Sequence, residues 1–272
     1  MNKKPIIAIF LLLAGFAVML LSGMKLIEAT QTHAESTAAY NGISTRVKTA
    51  IDAEFLPHIG DDPLSVSFLF SDKEDEPAYV HVPRFDIDFG LLREINNDAV
   101  AWLYSPGTII DYPVMKSDNY SYYLNHLPDG TVNANGSLFI DYNNAWDFSD
   151  GLTVIYGHHM RTGSMFGNLK GYKEQWYYDE NPYVYIYTEH KDYRVDILFG
   201  SVIGAGQWRE NAFMFEENLE NFLAFASENT TFESTSTYRE GDKIVALSTC
   251  SYEFDNARYV VLGILRQGYP KL

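Results

Sequence analysis

The sequence predicts a mainly β protein whose body is a closed or nearly closed barrel of eight strands, preceded by N-terminal helices. The 272 residues include 20 Tyr and 17 Phe, and aromatic side chains favour strands. Eight short segments rich in β-branched or aromatic residues are bounded mostly by Gly, Pro, Asn or Asp, which is typical of barrel strands. One amphipathic segment between the sixth and seventh strands predicts a helix.

The first element is an apolar segment. Residues 5–24 carry no charge, and a helix of that length rises about 30 Å, the thickness of the hydrocarbon core of a bilayer. Lys3 and Lys4 precede it, so we expect tail 1–4 to be cytoplasmic and the body to lie outside the cell. We interpret residues 5–26 as an uncleaved, single-pass signal-anchor. The alternative is a cleaved signal peptide, but no clean cleavage site follows the apolar run.

Residues 27–84 are predicted to form a stalk, an N-terminal helix and an acidic segment. Apolar residues at helical spacing predict a helix that packs on the body. They are Tyr40, Ile43, Val47, Ile51 and Phe55. The acidic cluster consists of Asp72, Glu74, Asp75 and Glu76. We interpret it as a solvated loop, because the spacing of its carboxylates matches no reliable calcium loop.

Residues 85–272 are predicted to form the globular body, in which FDIDFGLLREINND (85–98) forms a short helix before the first strand. The eight predicted strands are 99–104, 108–114, 137–142, 152–156, 183–189, 193–203, 243–249 and 258–266. Residues 214–229 predict the helix between the sixth and seventh strands. Glutamates lie in its first turns, where the helix dipole favours anions, and apolar residues form a stripe on one face.

The charge of the chain argues against a nucleic-acid partner. The net charge is −16 at pH 7, and tight binding to nucleic acid requires a basic face that displaces counterions. Such acidity keeps a protein soluble but identifies no function.

The only cysteine, Cys250, ends the segment KIVALSTC. One thiol cannot form a disulfide within the chain, and a metal site built on sulfur needs further ligands. Cys250 is therefore either an inert packing residue or a nucleophile.

Two other polar residues also occur at strand ends. Arg258 begins the strand after Cys250, so strand pairing would bring a guanidinium to the thiol, where it favours thiolate and can bind an oxyanion. His158 follows strand 152–156 within YGHHM, and an imidazole exchanges protons near neutral pH. We expect only one of His158 and His159 to act, because neighbouring loop residues generally point apart. A metal site on the two histidines lacks a convincing third ligand.

These segments resemble the class B sortases, membrane-anchored cysteine transpeptidases of Gram-positive envelopes. The resemblance rests on YGHHM, on LSTC and on DNARYVVLGIL, which contain His158, Cys250 and Arg258. The block from INNDAVAWLY to SLFIDYNN and the helix between strands six and seven are also similar. The resemblance covers about residues 85–268 and the anchor, and it implies a sortase-type barrel.

The resemblance also implies a reaction. Cys250 would attack the Thr carbonyl of a C-terminal sorting motif, Asn-Pro-x-Thr-like or related, and form a thioacyl intermediate. His158 would act as general acid and base, and Arg258 would hold the substrate backbone or the oxyanion. A peptidoglycan precursor or cross-bridge amine would accept the surface protein, without metal or organic cofactor. Ser248 and Asn125 are implied as substrate-binding residues.

The sequence departs from the class in two places. Ser251 follows the thiol where class members often carry an acidic residue, so no further catalytic carboxylate is assigned. Residues 59–83 do not match the usual N-terminal helices and receive no role. Two other functions remain open from the residues: a cysteine endopeptidase or hydrolase of the same motif, and a non-catalytic envelope binding protein in which Cys250 is merely packed.

Overall fold

The computed structural model describes residues 4–50, 79–83 and 85–269. Several residues named above lie outside the described residues. They are Lys3, Ile51, Phe55 and the acidic cluster Asp72, Glu74, Asp75 and Glu76.

Eight strands form a closed barrel, as the sequence predicts. The described residues form ten strands, of which β3 to β10 make the barrel. In chain order they are β1 (Lys48–Ala50), β2 (Phe85–Ile87), β3 (Ala99–Tyr104), β4 (Asp111–Met115), β5 (Leu138–Ile140), β6 (Leu152–Tyr156), β7 (Tyr183–Tyr187), β8 (Asp192–Gly204), β9 (Ile244–Cys250) and β10 (Ala257–Gln267). The barrel order is β10-β8-β7-β3-β4-β5-β6-β9, and β1 pairs with β2 in a separate two-stranded sheet. The mainly β fold class is therefore confirmed.

Helices cover the outside of the barrel. They are α1 (Lys4–Val47), α2 (Phe89–Ile95), α3 (Gln175–Glu180), α4 (Ala205–Glu210) and α5 (Leu219–Glu228), with 3-10 turns at Tyr122–Leu124, Phe166–Lys173 and Glu216–Asn218. Helix α5 lies between the sixth and seventh barrel strands, where a helix is predicted. It begins later than residue 214, because the backbone of Phe215 is extended (φ −112°, ψ 143°).

Helix α1 joins the apolar segment and the predicted stalk without a break. Among the described residues it is the one helix long and apolar enough to cross a membrane, with a mean hydropathy of 1.7 in its apolar window. Its C-terminal part packs on the body through Tyr40, Ile43 and Val47, which are buried. The helix ends at Val47 because the next residue begins β1, so it is shorter than the predicted apolar stripe.

Alternation along β9 separates an inner from an outer face. Val245 and Leu247 belong to the cluster of side chains inside the barrel. Ile244 and Ala246 belong to a second cluster on the outer face, which Trp208 and other residues of the α4–α5 region cover. Because side chains alternate along a strand, residues 248 and 250 share the outer face with residues 244 and 246.

Candidate active site

Cys250 and Arg258 face each other across the last two strands. β9 and β10 are antiparallel, and their register pairs Cys250 with Arg258 directly. Side chains of such a pair lie on the same face of the sheet, here the outer face. Both residues are partly buried. The guanidinium donates one hydrogen bond to the carbonyl of Ala257 (3.1 Å), and none of its N–H groups is paired with a carboxylate among the described residues.

The strand on the other side of β9 brings His158 to the same level. β6 runs parallel to β9 and pairs Tyr156 with Ser248. Beyond this pair, the Gly157 N–H donates to the Ser248 carbonyl (3.2 Å), and the Thr249 hydroxyl donates to the Gly157 carbonyl (2.8 Å). His158 and Cys250 each lie two residues past the Tyr156–Ser248 pair, so the register brings these two strand ends together.

The imidazole of His158 is oriented by the backbone of another segment. Its Nε2 lies 2.6 Å from the carbonyl oxygen of Leu124. Because a carbonyl oxygen can only accept a hydrogen bond, Nε2 carries a proton and donates it. This contact places the proton on Nε2 and leaves Nδ1 as the nitrogen that can take up or release one. The ring is only partly buried, so proton exchange with a substrate is sterically possible.

His159 contacts the cysteine segment as well. Its Nδ1–H donates to the carbonyl of Cys250 (2.8 Å). Its ring lies edge-on to that of Tyr252, with centroids 5.0 Å apart. The two adjacent histidines therefore point to different partners, as expected, and His159 supports the backbone that carries the thiol.

The two predicted substrate-binding residues lie near this centre. Ser248 is buried on the outer face, two residues before Cys250. Asn125 is exposed and directly follows Leu124, whose carbonyl accepts the hydrogen bond from His158.

An aromatic wall borders the same face. The Tyr156 hydroxyl donates to Asp141 Oδ2 (2.9 Å), and burial together with this carboxylate raises the pKa of Tyr156. The Tyr156 ring also contacts Tyr120, with centroids 6.0 Å apart. Because Tyr156 pairs with Ser248, this wall lies beside Ser248, two residues before the thiol, on the outer face.

The segment after Cys250 contains a polar cluster that the sequence does not reveal. Lys173, at the end of the 3-10 turn Phe166–Lys173, donates to the Ser251 hydroxyl (3.1 Å) and to Glu253. Ser251 also donates to Glu253. Partial burial raises the pKa of Glu253, but the hydrogen bonds from Lys173 and Ser251 outweigh it and lower this pKa to about 2. Some 78 residues separate Lys173 from Ser251, so no local pattern signals the contact.

Known proteins resemble this chain in sequence and structure. No family model matches it. A curated Sortase B of Listeria monocytogenes is 32% identical over 177 residues, which cover 64% of this chain and 72% of the relative. The solved structure of a mutant form of Clostridium perfringens sortase B is 30% identical with a TM-score of 0.61, and the match covers 65% of this chain and 86% of that one. A solved Sortase B complexed with triglycine is 26% identical with a TM-score of 0.59, over 65% and 85% of the two chains.

The closed barrel with a thiol at a strand end, together with these relatives, defines an enzyme of the cysteine transpeptidase class. The fold is shared across most of the length of the solved structures. The chain belongs to the sortase B family. The resemblance inferred from YGHHM, LSTC and DNARYVVLGIL is thereby confirmed.

Proposed function

We propose that this enzyme cleaves a C-terminal sorting motif of surface proteins, Asn-Pro-x-Thr-like or related, at the Thr and transfers the protein to a cell-wall amine. The observation that carries the proposal is the convergence of three strand ends. Cys250 lies opposite Arg258 in the β9–β10 register, and the parallel β6–β9 register brings His158 to the same level.

In the first step the Cys250 sulfur attacks the Thr carbonyl carbon as a thiolate. A carbon–sulfur bond forms, the carbonyl oxygen becomes an oxyanion, and the peptide C–N bond then breaks. His158, protonated on both nitrogens, gives the Nδ1 proton to the leaving amine. The remaining guanidinium donors of Arg258 stabilise the oxyanion.

In the second step an amine attacks the thioacyl carbon. His158 takes the proton of the amine at Nδ1, an amide bond forms, and the Cys250 thiolate leaves. The structure of a relative complexed with triglycine supports an amine-bearing peptide as acceptor. A peptidoglycan precursor or cross-bridge offers such an amine, and the two steps require no cofactor.

The donor peptide would bind at the C-terminal end of β9, beyond the part of the outer face that the α4–α5 region covers. Ser248 precedes the thiol on this face and pairs with Tyr156, and Asn125 follows the residue whose carbonyl holds the His158 ring. We propose Ser248 and Asn125 as substrate-binding residues because they lie next to the segments that carry Cys250 and orient His158.

We further propose that residues 5–26 anchor the enzyme in the cell membrane by a single pass, with tail 1–4 in the cytoplasm. Residues 27–84 would then connect the anchor to the catalytic barrel, residues 85–272, outside the cell. The support is the long apolar part of α1 and the two lysines that precede it.

The test uses a fluorogenic sorting-motif peptide with the wild-type enzyme and with Cys250→Ala. Removal of the nucleophile is expected to lower turnover by at least about 10³-fold. Equal turnover in both proteins would refute the proposal. Mass spectrometry with added triglycine should show the amide adduct, whereas a hydrolase would release the free acid even at high amine concentration.

A further inference from the structure

Hydrogen bonds join the connection between β9 and β10, residues 251–256, to the 3-10 turn Phe166–Lys173, which follows the two histidines. We call Lys173, Ser251 and Glu253 the Lys173 clamp. All three pairs of this clamp are hydrogen-bonded: Lys173 to Ser251 (3.1 Å), Lys173 to Glu253, and Ser251 to Glu253. The clamp therefore joins two segments that are distant in sequence and that both border the thiol.

The clamp acts on a buried point of the connection. Ser251 is 5% exposed, and its N–H donates to the carbonyl of Ala257 (2.9 Å), which closes the connection at its base. The ammonium of Lys173 also lies 5.0 Å from the ring centroid of Tyr259, a distance at which a cation is attracted to the ring face. Movement of Lys173 would therefore loosen the residue that directly follows Cys250.

The connection that carries the clamp is also held by His159. His159 donates to the Cys250 carbonyl and packs against Tyr252, which lies between the two clamp residues of the connection. His159 thus holds the carbonyl of the peptide unit between residues 250 and 251, and the clamp holds Ser251 on the other side of the same unit. The thiol sits on a backbone fixed from two directions.

The charges of the clamp balance each other. The pKa of Glu253 is lowered to about 2, so the carboxylate stays ionised opposite the Lys173 ammonium throughout the neutral range. A cavity of about 410 Å³ adjoins the clamp. Besides the clamp residues, the charged or titratable residues that line this cavity are His159, Lys170, Glu174 and Tyr252. Cys250 and Arg258 face each other on the adjoining strands, and Tyr259 lies under the Lys173 ammonium.

We propose that Lys173 is a positioning residue for the transpeptidation: by holding Ser251 and Glu253 it keeps the Cys250 thiol in line with His158 and Arg258. This inference rests on the proposed function. It also gives a reason why this chain has Ser251 where class members often carry an acidic residue. The Ser251 hydroxyl follows the thiol, and the carboxylate of Glu253 is hydrogen-bonded to it.

The principal test is the steady-state kinetics of Lys173→Met. Because small displacements of reacting groups cost up to about 100-fold in rate, kcat is expected to fall about 10- to 100-fold while KM for the donor peptide changes little. Lys173→Arg, which keeps the charge and the donors, should recover most of the loss. Lys170→Met is the matched control, because it removes the same charge from the same 3-10 turn without breaking the clamp.

A second readout separates the clamp from a purely structural effect. In Lys173→Met the Glu253 carboxylate is left without its cationic partner, and an uncompensated negative charge beside the site favours the protonated state of the groups around it. The pH optimum of kcat should therefore move up by about half a unit. In Glu253→Gln the ammonium is left uncompensated, and the optimum should move down. A merely structural defect would move both variants in the same direction or not at all.

The outcomes are distinguishable from failure of the proposed function. If the wild type forms no amide adduct, the proposed function fails. If the wild type is active and Lys173→Met matches it, or matches Lys170→Met, in kcat and pH optimum, the clamp proposal is overturned. Thermal melting of each variant checks folding, and if Lys173→Met does not fold, the downward shift in Glu253→Gln decides alone.

Discussion

Gly157 determines where the imidazole of His158 stands. A Cβ atom at this position would lie 2.7 Å from Phe166 Cδ2 and would also collide with Leu138. Both neighbours are fully buried in the barrel core, so neither can move away without disturbing the packing around it. A side chain at residue 157 would push out the end of β6 and the imidazole that follows.

We therefore expect Gly157→Ala to lower both stability and activity. Overpacking of a well-packed core costs about 1–3 kcal/mol, and the shifted imidazole should reduce kcat by about tenfold or more. Gly206→Ala is the matched control, since a Cβ there makes only ordinary contacts within α4. A Gly157→Ala protein with wild-type melting temperature and kcat would contradict this prediction.

Some residues of the site could be predicted from sequence and others could not. The pairing of Cys250 with Arg258 follows from two strands joined by a short connection, and the register confirms it. The acceptor of the His158 ring, the Leu124 carbonyl, is a backbone atom that carries no residue signature. Lys173 and Glu253 meet only because the barrel brings distant segments together.

At the level of elements, helix α1 supports the segment that orients His158. The Tyr40 hydroxyl donates to the Gly136 carbonyl (2.7 Å). Gly136 in turn packs so tightly that a Cβ would lie 2.7 Å from the Leu124 carbonyl oxygen, the atom that accepts the His158 hydrogen bond. Through these contacts α1 supports the Leu124 carbonyl, which in turn orients the His158 ring.

Loss of the Tyr40 hydroxyl should therefore be measurable in the barrel. Tyr40→Phe leaves the buried Gly136 carbonyl without this donor, at a cost of about 1–2 kcal/mol. The expected drop in melting temperature is roughly 2–8 °C. Tyr142→Phe, at an exposed tyrosine, serves as the control and should melt like the wild type. Identical melting of Tyr40→Phe and the wild type would show that the contact does not support the fold.

Strand positions were predictable because alternating apolar runs end at turn residues, but six of the eight barrel strands begin or end one to three residues away from the prediction. The predicted strand 108–114 starts at Asp111, since the preceding residues close a turn in which the Ser105 N–H donates to the Ile110 carbonyl (2.8 Å). The polar composition after residue 26 predicts a stalk that merges into a helix, yet the chain is helical without a break up to Val47. Its polar side chains there serve as contacts: Asn135 donates to Ser36 (2.5 Å).

For the whole molecule, we predict that the apolar part of α1 confers membrane attachment. The full chain should float with lipid vesicles on a density gradient, and a chain lacking residues 1–26 should not. A net charge of −16 provides no electrostatic attraction to anionic lipids. Attachment must therefore come from the apolar helix, and it should persist on both neutral and anionic vesicles and at high salt. A full chain that stays at the bottom of the gradient with either lipid would refute the anchor.

With α1 as the proposed anchor, its continuity would also set the distance of the barrel from the bilayer. The uncharged segment ends at Met24, and the first hydrogen bond between α1 and the body among the described residues is at Thr32, whose carbonyl accepts from Asn133. At a rise of about 1.5 Å per residue, only about 12 Å of rod would separate the lipid surface from the enzyme. A rod this short and stiff allows little swinging, so partners would have to come to a thin layer at the membrane surface, which favours lipid-linked precursors over the mature wall.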